Sequence, residues 1–527
     1  MPDAVVIGAG PNGLVAANLL ADRGWDVVVL EAQSEPGGAV KSAELVEPGF
    51  INDVFSAFYP LGVASPVLRQ LRLEAHGLEW CRAPLALAHP TSDGSCPVLS
   101  MDLDETAASF DELAPGDGDG WRRLYARWER VGGALLDCLL SPFPPVRGGL
   151  RFLSRARPSE LPDLARFLLL PVRRLGDEYF AGDGPRRILA GCALHTDVFP
   201  EAAVGGMIGW LLASLGQEVG WPTPAGGAGR ITDALVSRLK EAGGRLECGA
   251  AVTSVVVKGG RAVAVRTAGG DEVEATRAVV ADVAAPALYL DLVGAEHLPG
   301  RTVRALEHFE WDNATVKVDW ALDGPIPWLA EPARRAGVVH VAEGVDALTV
   351  QAAQLQLGLV PDPVFLIVGQ QGRADASRSP EGKDTAWAYT HVPQHVRGDA
   401  GDAGVTGSWD QAEASAMADR MEGEIELLAP GFRDLIRGRH VLTPRGLEAA
   451  DANLVGGAIN GGTAQLHQQL VFRPIPGLGR AETPVAGLFL GSASAHPGGG
   501  VHGACGANAA RAALAADRRR AFKVFPG

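Results

Sequence analysis

Residues 4–38 read AVVIGAGPNGLVAANLLADRGWDVVVLEAQSEPGG. An apolar strand, Ala4-Val5-Val6-Ile7, runs into Gly8-Ala9-Gly10-Pro11-Asn12-Gly13. A helical stretch to Arg23, a second strand Val27-Val28-Val29-Leu30, the acid Glu31 and the pair Gly37-Gly38 follow. The spacing predicts a strand-turn-helix-strand unit that holds a dinucleotide. Gly8 permits the tight turn, Gly10 lets backbone N–H groups approach a pyrophosphate, and Gly13 lets the helix pack closely on the strand. Pro11 opens the helix, where its missing N–H costs no helical bond, and the helix start turns its positive end to the phosphates. Glu31 is expected to accept hydrogen bonds from ribose hydroxyls and to repel a 2′-phosphate. A lone GxGxxG is weak; the flanking strands, the helix and the acid make this one specific.

With 527 residues the chain has room for two or more domains. Its formal net charge of −15 supplies no basic field for a polyanion, so no nucleic-acid partner is expected. Six cysteines, at 81, 96, 138, 192, 248 and 505, form no CxxC pair and stand in no metal-like spacing with histidine. Neither a disulfide framework nor a metal site is expected, and a reducing, cytoplasmic compartment is. Asp3 stands before the first strand where a basic n-region would lie, so no signal peptide is expected. No run of about 18 apolar residues predicts a spanning helix.

Beyond Gly38, the segment 41–66 reads as a strand and loop closing over a ligand. Residues 102–220 read mainly as helices, a candidate cap. A second α/β signal begins at Pro224-Ala225-Gly226-Gly227-Ala228-Gly229, with a helix to Ala242. Short strands at 245–248, 252–258, 261–267, 271–275 and 278–281 then read as a β-meander whose simplest partner is the N-terminal sheet. Strands are expected at 315–321, 338–341 and 364–368, a helix at 409–429 and an exposed loop at 398–407. The tail carries a strand, 487–491, then Ser492 to Gly500, then an Ala-rich helix from about Val501.

Three separated segments together resemble one family. VVIGAGPNGLVAANLLADRGWDVVVLEAQSEPGG, PAGGAGRITDALVSRLKEAGGRL with its meander, and GLFLGSASAHPGGGVHGACGANAARAAL are similar to the phytoene desaturase-like flavoproteins. The last segment is closest to the branch typified by pyridine nucleotide-disulphide oxidoreductase domain protein 2. The resemblance covers the cofactor-binding parts well and the helical cap poorly. It implies FAD, bound non-covalently and extended. Gly8, Gly10, Pro11, Asn12, Gly13, Glu31, Gly37 and Gly38 then take its adenosine and pyrophosphate, Val252 its adenine side, and His496-Pro497-Gly498-Gly499-Gly500-Val501 its flavin side. In that reading the last turn opens a helix whose N–H groups stabilise negative charge on the reduced flavin pyrimidine. The expected fold class is α/β: an interrupted Rossmann-type FAD-binding domain with a β-meander (1–75, 224–304 and 471–527), plus an α+β substrate domain with a helical cap (76–223 and 305–470).

No second GxGxxG and no CxxC occur, so a nicotinamide domain and disulphide reductase chemistry are not expected. Electrons leave to oxygen, a quinone or a docking nicotinamide, and sequence does not choose. His496 is a candidate base beside the flavin, or a side chain that fixes the turn. Tyr59 is a candidate for the substrate face, or core. His502 and Cys505 are read on the first turn of the last helix, where the dipole lowers a thiol's pKa, against a packing role. His195 and Asp197 are read at a junction between cap and core, with local hydrogen bonding the alternative. Segment 145–175 holds seven arginines (147, 151, 155, 157, 166, 173 and 174) against Glu160 and Asp163, with leucines interleaved. It is either a basic amphipathic patch that makes peripheral membrane contact or a solvated face. The expected function is FAD-dependent oxidation at C–H bonds of a hydrophobic, isoprenoid or polyene substrate. The alternatives are an amine or alcohol oxidase on a small polar substrate, or a flavin-binding partner protein with little turnover. Substrate, reaction outcome and oligomeric state stay open.

Overall fold

The computed structural model describes residues 1–155 and 158–524. Two sheets organise them. In the first, five parallel strands lie in the order Leu488–Leu490, Ala278–Ala281, Ala4–Ile7, Val27–Leu30, Arg245–Glu247. Val5 pairs with Val28 on one side and Val279 on the other. Four of these strands are uninterrupted apolar runs because both faces are covered. Helices Pro11–Ala21, Gly229–Glu241 and Ala504–Val524 bury Leu14, Ile231 and Ala507 against one face.

The other face is covered by the meander. Its strands Val252–Lys258, Arg261–Thr267 and Glu272–Glu274 form a separate antiparallel sheet, and only the flanking Arg245–Glu247 and Ala278–Ala281 join the five-stranded one. The expectation that the meander joins the N-terminal sheet therefore holds at its two ends. Its middle strands alternate buried and exposed residues, which suits a sheet wetted on one side.

The second sheet has seven strands in the order Ile436–Leu442, Ala314–Leu322, Asp384–Val392, Leu366–Gly369, Ala336–Val341, Leu85–Ala88, Val98–Leu99. It is antiparallel except where Ala336–Val341 runs beside Leu85–Ala88. Helix Gln411–Leu428 buries Met417, Met421 and Ile425 on its outer face. On its inner face sit the helices between residues 103 and 219, packed around Trp121, Trp128, Trp210 and Phe167. These are the expected cap. The predicted loop at 398–407 is less exposed than expected: Gly398–Asp399 pair with Leu359–Val360, and Val405 is buried.

The two halves are pinned by one buried guanidinium. Arg378, 0% exposed, donates from Nε to Asp375 at 3.0 Å and from both terminal nitrogens to Asp53 at 3.1 and 3.2 Å. It also donates to the Thr223 hydroxyl and the Pro224 carbonyl. The same two carboxylates accept the backbone N–H groups of Gly226 and Ala228, both at 2.7 Å. So the Gly-rich turn that starts helix Gly229–Glu241 is held by acids that Arg378 neutralises. Removing one partner of a buried ionic cluster costs about 3–5 kcal/mol. Arg378→Leu is therefore expected to lose stability of that order in urea unfolding, and Arg378→Lys to recover only part, because an ammonium cannot fork to both acids.

Candidate functional site

A cavity of about 620 Å³ runs from the glycine motif to the inner face of the seven-stranded sheet. At its nucleotide end Gly8, Gly10, Pro11, Asn12, Glu31, Gly38 and Val252 line the wall. A Cβ at Gly10 would stand 2.7 Å from the Asp282 carboxylate, and one at Gly13 would stand 2.2 Å from the Gly8 carbonyl oxygen. Gly13 and Gly37 thus serve behind the wall: Gly13 packs, and Gly37 donates its N–H to the Ala9 carbonyl. Among the described residues the N–H groups of Gly10 and Asn12 have no partner, which is the donor set an anion at a helix start requires. That is the fit expected for a dinucleotide pyrophosphate.

Glu31 is only 8% exposed, and its carboxylate accepts from Ala9 N at 2.7 Å and Gln33 N at 2.9 Å. Each oxygen keeps a further lone pair for a ribose hydroxyl. Asp282 and Asp451 also line this end and escaped the sequence reading. Asp282 ends the strand Ala278–Ala281 and accepts Gly13 N at 2.7 Å. Burial pushes its carboxyl up to about 7, and the carboxylates of Asp451 and Glu31 push the same way. Asp451 is likewise raised by burial. Acids pushed toward their neutral form are compatible with a pyrophosphate alongside.

The flavin-side turn is placed in part. Gly499, Gly500 and Val501 line the cavity, whereas His496, Pro497 and Gly498 lie outside its wall. His496 is buried; its Nε2 meets the Ser141 carbonyl oxygen at 3.1 Å and its ring edge meets Phe143. This favours the turn-fixing alternative over a base at the cavity. The last helix starts at Ala504, three residues later than expected, and Ala504 N is bonded to His502 Nδ1. His502 therefore caps the helix from outside it. Cys505 is sealed, with burial pushing its thiol up to about 12, which agrees with the packing role and not with a dipole-lowered thiol.

Tyr59 lines the cavity, but it is 2% exposed and its hydroxyl is engaged with Ser56. His195 and Asp197 make long-range bonds in place of the local ones considered. Asp197 takes the Thr463 hydroxyl and Ala464 N, and His195 Nε2 meets His340 Nε2 at 2.9 Å. Both tie the cap to the second half of the chain.

The far end of the cavity is built on facing strands. Lys317 pairs in register with Tyr389, and Asp319 with Trp387, so all four project to one side. Lys317 is 3% exposed, bonded to the Asp319 carboxylate and to the Asp53 carbonyl at 3.0 Å, with Nζ 5.8 Å from the Trp387 ring. Asp319 is pushed up to about 6 by burial, against the pull of Lys317. Trp387 lies over Gly369, where a Cβ would reach within 2.2 Å of the indole. The signal for these residues was present in ATVKVDWAL: a lysine and an aspartate, two apart, inside an otherwise apolar strand.

A family model described as flavin containing amine oxidoreductase matches residues 12–347. "Pyridine nucleotide-disulfide oxidoreductase domain-containing protein 2" of Rattus norvegicus is 29% identical, over 96% of this chain and 92% of that protein. Hydroxyneurosporene desaturase of Cereibacter sphaeroides is 26% identical, over 98% of each. Among solved structures, cyclohexylamine oxidase from Brevibacterium oxydans superposes with a TM-score of 0.59 at 14% identity over 99% of both chains, a likeness of fold.

Asp282 gives a test by linkage. Its folded-state pKa is raised above the unfolded 3.8, so its contribution is full below about 3.8 and is lost as pH rises through about 7. Asp282→Asn carries no charge. In urea unfolding of the cofactor-free protein, its stability relative to the parent is expected to rise between about pH 4 and about pH 7, by about 1.4 kcal/mol for each pH unit in the middle of that window, and to level off above it.

Proposed function

The chain belongs to the flavin-containing amine oxidoreductase family, and on that premise we propose that this FAD-dependent oxidoreductase oxidises a C–H bond of a hydrophobic, isoprenoid- or polyene-like substrate. The observation that carries the reading is the wall beyond the cofactor end. Phe58, Leu212, Trp221, Val338, Ile367 and Trp387 make it apolar and aromatic. Among the described residues that the cap and the seven-stranded sheet give to this wall, none is a carboxylate, so no anion stands ready for an ammonium substrate. Desaturases of polyenes among the relatives, matched over nearly their whole length, support the same substrate class.

When bound, FAD would supply a hydride acceptor for the C–H bond, with a diffusing oxidant such as oxygen, a quinone or a nicotinamide as the final acceptor. The protein's part is positioning and proton control. Gly10 and Asn12 offer N–H groups to the pyrophosphate, and Trp387, Trp221 and Phe58 hold an apolar chain out of water. Lys317 has three N–H donors, of which two go to Asp53 and Asp319; the third is left for the cavity.

The same reading has the enzyme draw its substrate from an anionic bilayer. Helix Val146–Arg155 exposes Val146, Leu150 and Leu153, and Leu169 is exposed nearby in sequence. Four of the segment's arginines are paired with acids: Arg151 with Asp137, Arg166 and Arg174 with Glu178, and Arg173 with Glu201 and Asp346. Arg147 and Arg155 have no ionic partner among the described residues and lie on the same helix, while Arg157 lies outside the described residues. No described helix is long and apolar enough to cross a membrane.

Anaerobic mixing of the yellow protein with a polyene-rich lipid extract is expected to bleach the flavin absorbance and yield a product two hydrogens lighter. Bleaching by primary amines but not by the extract would reverse the assignment. Sedimentation with phosphatidylglycerol vesicles, but not phosphatidylcholine vesicles, is expected for the parent. Leu150→Glu/Leu153→Glu should lose about tenfold in partitioning, and equal sedimentation of the two would remove the membrane step.

A further inference from the structure

His195 and His340 share one hydrogen bond in a way that fixes where each proton sits. His195 follows the cap helix Asp183–Ala193 and lines the cavity, packed edge-on against Trp221 with ring centroids 4.8 Å apart. His340, 0% exposed, lies behind it in the strand Ala336–Val341. Their Nε2 atoms are 2.9 Å apart. Burial keeps both rings neutral: it pushes His195 down to about 3 and His340 well below the ordinary imidazole range. Two neutral imidazoles joined through Nε2 carry a single proton between those atoms, so one ring must be protonated at Nδ1.

The surroundings decide which. Nδ1 of His340 is sealed and has no partner, and it presses on Gly191, where a Cβ would lie 2.2 Å away. Were that atom to carry hydrogen, a buried N–H would go unpaired; carrying a lone pair is the lesser cost. His340 therefore donates from Nε2, His195 accepts at Nε2, and the proton of His195 sits on Nδ1. That atom makes no hydrogen bond among the described residues and is not among the sealed polar atoms, although its ring lines the cavity.

We infer that His195 is a specificity residue: held by His340, it turns an Nδ1–H donor to the cavity and selects, among apolar substrates, those that carry a carbonyl or hydroxyl oxygen at that point. The inference rests on the proposed hydrophobic substrate class and narrows it. A pure hydrocarbon would leave this donor desolvated and unpaired, whereas an oxygen-bearing chain satisfies it.

Two measurements test it in the FAD-loaded protein. In long-range proton–nitrogen spectra of histidine-labelled enzyme, assigned with His195→Asn and His340→Gln, His195 is expected as the Nδ1–H tautomer and His340 as the Nε2–H tautomer. Finding Nε2–H at His195 overturns the proposal. In binding titrations followed by flavin absorbance, farnesol and farnesal are expected to bind about tenfold tighter than farnesene. That gap should close to within twofold in His195→Phe and persist in His195→Asn, whose amide keeps a donor near the same place. A gap that is absent in the parent, or that survives in His195→Phe, overturns it. If none of the three probes binds, the apolar-substrate reading fails, while the tautomer spectra still decide the donor.

Discussion

The buried charge cluster of Arg378, Asp53 and Asp375 is the constraint around which the molecule is assembled. Its members come from two distant stretches: Asp53 from the hairpin after the glycine motif, and Asp375 and Arg378 from the turns before strand Asp384–Val392. A guanidinium out of water must find acids, and acids out of water must find donors. Here the donors include the first N–H groups of the Gly226 turn, so electrostatic satisfaction of Arg378 and correct placement of a cofactor-side helix are one event. The Asp53 backbone extends the same constraint into the cavity, because its carbonyl accepts from Lys317. The cation beside Trp387 is thus registered to the nucleotide half, not only to its own strand.

The cavity's electrostatics follow from burial acting in opposite senses on acids and bases. At the nucleotide end, Asp282 and Asp451 are pushed toward the neutral, protonated form. At the cap end, His195, His340 and His391 are pushed toward the neutral, unprotonated form. At the far end of the wall, Lys317 has a carboxylate and an aromatic face beside it. A low-charge chamber of this kind suits a substrate that brings little charge of its own.

Much of this was legible from residues 4–38, because a strand covered on both faces must be apolar throughout and a turn at a pyrophosphate must lack side chains. The five-stranded sheet, its first two helices and the cap appear where apolar runs and helical periodicity predicted them. The cavity's far end was not legible. Lys317, Trp387 and Tyr389 become neighbours only through the register of Ala314–Leu322 against Asp384–Val392, and pairing of strands some 70 residues apart leaves no local signature. His195 and Asp197 were noticed, but their partners His340 and Thr463 lie 145 and 266 positions away. The last helix was placed too early because the breaker run Pro497–Gly500 ends just before Val501; the start is set three residues later, after Gly503 at positive φ, by His502 folding back onto Ala504.

The division of the cofactor unit into three strips bears on how the protein is made. Strand Leu488–Leu490 completes the sheet edge against Ala278–Ala281, and Gly506 N points at the side-chain oxygen of Asn12 across a separation of 494 residues. Asn12, at the helix start, is therefore buttressed by a residue synthesised 494 positions later. The first βαβ piece must wait through the synthesis of the cap and of the whole seven-stranded sheet before its own edge is covered. Loop closure over such spans is slow and leaves apolar strands exposed in the interval.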